Sequence, residues 1–186
     1  MSKNKGISAY KICLVALAVC INMVGGQFAL MLKLPIYLDS IGTFLVGATL
    51  GPLYGMLPNL LSGIIFGMTT DIYSLYYAPV GILLGLMTGL VCKKHMPKGW
   101  KILLAALIIT IPTTIVSSSI TAILFGGITS SGSTILVQLL AKTPIGLTGA
   151  CFVVQFITDY ADRIISLFVV AALMRALPAS IKEKLR

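Results

Sequence analysis

Five acidic side chains stand among fourteen Lys and Arg in a chain of 186 residues. Two of them, Asp159 and Asp162, sit just before Arg163 in DYADRIISLF. On a helix, Asp159 and Arg163 fall at i and i+4 with the acid first, the favourable orientation for an ion pair. That pair can serve as a structural clamp or as the wall of a polar pocket. Asp159 and Asp162 also have a spacing at which two carboxylates could share one proton, as in an aspartic dyad. Tyrosines accompany the acids: Tyr37 precedes Asp39, while Tyr73, Tyr76 and Tyr77 follow Asp71, and Tyr160 adjoins Asp159. Tyrosine is common at membrane interfaces, and beside acids it can stack on a flat heterocycle whose rim is hydrogen-bonded. Asn22, Gln27, Asn59 and Ser117 to Ser119 are polar residues inside apolar runs, suited to joining helices or to touching a ligand.

Several chemistries are missing. No G-x-x-x-x-G-K-[ST] occurs, so the chain has no P-loop for ATP. The single histidine, His95, lies in the basic stretch KKHMPK, which leaves neither a Ser/His protease nor a histidine metal site. Cys13, Cys20, Cys92 and Cys151 lack metal-type spacing and read as small packing residues. No catalytic residue, metal or cofactor is expected. The candidates for substrate binding are Asn22, Gln27, Tyr37, Asp39, Asn59, Tyr73, Tyr77, Asp159 and Arg163.

The elements that must position these residues are apolar. Hydrophobic residues make up 58% of the chain and charged residues 10%, with a mean hydropathy of +1.02. These values exceed those of ordinary soluble domains, and the expectation is an all-α membrane protein occupying the whole chain. The net charge of +9 does not point to nucleic acid, because the basic residues flank apolar runs instead of covering one polar face. The run from Ile12 to Leu32 is too long for a signal-peptide core and reads as a transmembrane helix. The stretch Ser40 to Gly67 would be about 42 Å long as one helix, well beyond a hydrocarbon core of about 30 Å. Gly51 and Pro52 make a turn cheap at its middle, so it reads as a hairpin. Expected helices cover about 8–32, 40–51, 53–68, 75–92, 102–125 and 156–177, with loops at 33–39 and 126–155. Residues 134–155 are expected to be a partly helical cap or a bent approach to the last span. Gly81, Gly85 and Gly89 permit close contact between helices, as does the small-residue stripe Ala9, Cys13, Ala16 and Cys20.

Topology follows from positive charge. With six spans, Lys3, Lys5, Lys11, the lysines at 93, 94, 98 and 101, Arg175 and the basic C-terminus fall on one side, and only Lys33 and Lys142 on the other. Five spans would put the four-lysine loop on the wrong side. The expected architecture is therefore a six-transmembrane-helix bundle with both termini cytoplasmic. Asp39, Asp71, Asp159 and Asp162 then lie toward the outside, with Glu183 within.

The loop and hairpin LPIYLDSIGTFLVGATLGPLYGMLPNLLSG, the small-residue stripe on helix 1 and the closing DYADRIISLFVVAALMRALP resemble the S components of energy-coupling factor (ECF) transporters. The resemblance covers nearly the whole chain. It implies a multi-pass subunit of the bacterial plasma membrane that captures a vitamin or related micronutrient on the outer side. It also implies docking through helix 1 on a transmembrane coupling protein driven by two ATPases, which accords with the missing P-loop. The gating loops would be Leu34 to Asp39 and Gly126 to Pro144, and the docking stripe Ala9, Cys13, Ala16 and Cys20. The family's helix 1 commonly carries AxxxA, where this chain has Ala16 and Cys20. Two other classes stay open: a small intramembrane aspartic protease of the lipoprotein signal peptidase kind, and a membrane scaffold without a ligand.

Overall fold

The computed structural model describes residues 9–92 and 96–176. Lys3, Lys5, Lys93, Lys94, His95, Lys182, Glu183, Lys184 and Arg186, on which part of the expected charge pattern rests, lie outside the described residues. The described chain is all helix, without a strand. In order come α1 (Ala9–Met31), α2 (Ile41–Leu50), α3 (Pro52–Thr69), α4 (Tyr73–Tyr76), α5 (Ala78–Cys92), α6 (Lys101–Phe125), α7 (Ser133–Leu140) and α8 (Gly146–Ala176). Of these, α1 and α6 are long and apolar enough to cross a membrane.

Polarity runs opposite to that of a water-soluble domain. Leu17, Val24, Ile108, Ile123 and Phe168 are exposed, while Thr110, Thr114, Ser117, Asp162 and Arg163 are buried. The apolar core sits near one end, where Phe44, Leu84, Ile102, Ile109, Leu167 and Val170 pack together. Lys98, Lys101 and Arg175 lie at that end by the order of the helices, and Lys33 and Lys142 at the other.

The α2–α3 hairpin turns at Gly51, whose φ of 90° favours glycine, and Pro52 opens α3 where its missing N–H costs nothing. Helix α3 is clasped to α5 by glycine. A Cβ on Gly85 would lie 2.1 Å from the Gly55 carbonyl oxygen, and one on Gly89 would lie 2.3 Å from Pro52. The break between α4 and α5 follows from Pro79, which sits in the first turn of α5.

The last helix departs from the expected 156–177. It begins ten residues earlier, at Gly146, after the left-handed φ of 72° there. The cause is packing: Ala150, Cys151 and Val154 form a buried helical face against Val137 of α7. Gly146 and Gly149 hide that face from a local reading of helix propensity.

Candidate functional site

The site begins with a mismatch in helix length. At about 1.5 Å per residue, α2 is about 15 Å long against about 34 Å for α1. It starts deep in the bundle, where a Cβ on Gly42 would lie 2.1 Å from the Ala18 carbonyl oxygen. Asn22 fixes this register, donating to Thr43 Oγ1 at 2.9 Å and accepting from the Gly42 N–H at 2.8 Å. Residues 32–40 must therefore return along the last turns of α1 as irregular chain. Gly25 and Gly26 make room for it, since a Cβ on Gly25 would lie 2.1 Å from the Leu38 carbonyl oxygen.

Such irregular backbone needs partners at depth, and Asp162 of α8 supplies them. Its carboxylate accepts from the Leu38 N–H at 3.0 Å, the Ser40 hydroxyl at 2.8 Å and Arg163 Nη1 at 2.6 Å. Leu38 is held at φ 52°, a left-handed conformation that costs a non-glycine residue about 1–2 kcal/mol.

From Asp162 a polar wall runs between α8 and α6. Arg163 Nη2 stands 3.9 Å from Asp159 Oδ1. Asp159 accepts from the Thr114 hydroxyl at 2.8 Å and faces Ser117 Oγ at 3.3 Å. Ser117 is also 3.2 Å from Gln155 Oε1, and the Gln155 amide donates to the Thr121 hydroxyl, which in turn bonds the Tyr77 hydroxyl. Arg163 thus has its tight partner in Asp162, with Asp159 the looser contact. The guanidinium bridges the two carboxylates, an arrangement unlike a dyad sharing a proton.

Three loops are laced over this wall. The Gly132 N–H donates to the Leu34 carbonyl at 3.3 Å, and Ser130 donates to Asp71 at 2.9 Å. Asp71 also accepts from Ser74 at 3.1 Å. The Tyr37 hydroxyl faces Ser131 and Thr129, and burial pushes its ionisation well above the ordinary phenol value. Beneath lies a cavity of about 90 Å³, room for several waters. Asp39 lines it partly buried, its carboxyl pushed up to about 7 by desolvation and by the Asp162 carboxylate, against the pull of Arg163.

Eight of the nine residues expected to bind substrate line this cavity: Asn22, Tyr37, Asp39, Asn59, Tyr73, Tyr77, Asp159 and Arg163. Asn22 is largely committed to the α1–α2 clip. Gln27 does not join them; it is exposed on the outer face of α1, because Gly26 and Ala29 are the residues that α1 turns inward there. Gln155, Ser62, Asp71 and Ser130 line the cavity without having been picked as site residues from the sequence. Gln155 carried a usable signal, since Gln155, Asp159, Asp162 and Ser166 recur at helical spacing. A helix that starts at 156 leaves Gln155 out of that pattern.

The stripe of Ala9, Cys13, Ala16 and Cys20 is exposed along its whole length, on the side of α1 turned away from α2 and α3. Compared with known protein families, curated proteins and solved structures, the chain matches none.

Proposed function

We propose that this chain is the substrate-binding membrane subunit of an ECF-type transporter, holding a vitamin or related micronutrient under its laced loops for uptake by a separate coupling module. The observation that carries this reading is the cavity bounded by tyrosines, an amide, carboxylates and one guanidinium, roofed by three loops at one end of the bundle. Such a site is concave and aromatic with a few polar groups, as small-ligand sites are.

The surrounding features support a membrane setting. The exterior is apolar, and the interior holds a polar cluster beside its apolar core. In the proposed topology, six helices cross the bacterial plasma membrane, and segment 32–40 is an outer loop packed on α1 that leads into the short α2. Both termini then face the cytoplasm, and the cavity opens outward at the end that bears few positive charges. The uncovered small-residue stripe on α1 supports docking on the transmembrane T component, whose two ATPase partners supply the energy that this chain cannot.

The test is uptake in cells that also make a coupling module. Ala16→Trp with Cys20→Trp is expected to abolish uptake while leaving ligand binding to the purified chain intact. Unchanged uptake would remove the docking face from the account, and a reporter at Lys98 facing outward would overturn the topology.

A further inference from the structure

We infer that the ligand presents to Asp39 an edge with adjacent N–H donors, an amidine or a ring N–H beside an amino group, and carries no anionic group. The inference rests on the reading of the cavity as a ligand site.

It follows from which polar groups there are already committed. Asp39, Asp71 and Asp159 line the cavity, with Asp162 just behind, and Arg163 is the one cation among the described lining residues. The charge of Arg163 is already balanced by carboxylates, with Nη1 hydrogen-bonded to Asp162 and Nη2 3.9 Å from Asp159. Its Nε has no hydrogen-bond partner and is buried. One oxygen of Asp71 accepts from Ser74 and Ser130, and one oxygen of Asp159 from Thr114 and Ser117. Asp39 differs from both. Among the described residues no side chain hydrogen-bonds its carboxylate, and its own backbone N–H is its donor.

An anionic ligand would bring a further negative charge to this surplus of carboxylates. A ligand with two parallel N–H groups would instead meet the two oxygens of Asp39 as a fork, the geometry that makes guanidinium–carboxylate pairs strong. The rest of the lining fits a ring: Tyr73, Tyr77 and Phe66 offer aromatic surface. The groups whose charges reach Asp39 are Asp162, Arg163 and Asp159.

The test uses flat probes of similar size, with paired N–H donors or with an anionic group, on the full chain in lipid nanodiscs at pH 8. Benzamidine, isocytosine and guanine form one set; benzoate, nicotinate and orotate form the other. Binding is read by calorimetry and by the thermal unfolding midpoint. The first set is expected to bind and the second not, and Asp39→Asn is expected to weaken the first set at least about tenfold. Gln27→Ala, outside the cavity, is expected to leave affinity unchanged. If the anionic set binds and Asp39→Asn spares it, the ligand class is wrong while the site remains. If neither set binds and a wider panel of vitamins also fails, the cavity is not a ligand site and both readings fall. The comparison of the two sets on the unaltered chain stands even if the Asp39 variant does not fold.

Discussion

Replacing Asp39 by Asn separates binding from stability at one residue. Asp39 ionises at about 7 in the folded protein against an ordinary 3.8. A raised acid binds its proton more tightly when folded, so the native state loses stability as pH rises from about 4 to 7, and the loss is complete above that window. A shift of about 3 units corresponds to about 4 kcal/mol. Asp39 is partly exposed to the cavity, where water screens its charge, so about 2 kcal/mol is the better expectation. Asparagine keeps the shape and removes the charge. The empty Asp39→Asn protein should therefore melt about 4–8 °C above the unaltered chain at pH 8. Near pH 4.5, where the native carboxyl is protonated, the two should converge. Thermal unfolding followed across pH 4.5 to 8.5 without ligand is the assay. A variant that melts lower at pH 8 would refute the reasoning, because it would mean that the carboxylate is stabilised where it sits.

Other positions carry their own expectations. Asn22→Leu should cost about 2–4 kcal/mol, since it leaves the Gly42 N–H buried without its acceptor; a midpoint unchanged within error would remove the α1–α2 clip from the account. Gly25→Leu cannot fit beside the Leu38 carbonyl and should displace segment 32–40, read as faster amide exchange there and lost ligand binding; normal exchange would contradict the close approach. Asp162→Asn keeps one acceptor oxygen but turns the other into a donor, so it should free either the Leu38 N–H or the Ser40 hydroxyl and leave Arg163 poorly compensated, costing about 3–5 kcal/mol. A loss confined to a few tenths would mean that Asp162 does not hold the loop.

The parts of the fold legible in the sequence are those set by local chemistry. The α2–α3 turn is written in Gly51 and Pro52, and the closeness of α3 and α5 in Gly81, Gly85 and Gly89. The depth to which segment 32–40 descends is not local. It depends on Ser40 and Leu38 meeting Asp162 across more than a hundred residues, and on Gly25 and Gly26, whose use appears only once α2 is seen to be short. The start of α8 was hidden for a similar reason, since burial against α7 outweighs the glycines at 146 and 149. Within the site, tyrosines and acids were legible by type, and Asp159 with Arg163 by spacing. The position of Gln27 was not legible, because a polar side chain in an apolar helix gives no sign of which face it occupies. The order of partners around Arg163 was equally silent, because the tight bond to the adjacent Asp162 arises when a long side chain folds back.

The central claim is that the cavity beneath the laced loops holds a small nutrient. The most direct measurement is to purify the full chain from its own membrane, denature it and identify by mass spectrometry what is released. The account predicts a flat, amino-substituted ring compound in near-equal amount to the protein. Release of nothing, together with no rise in thermal midpoint across a panel of vitamins and their precursors, would contradict it.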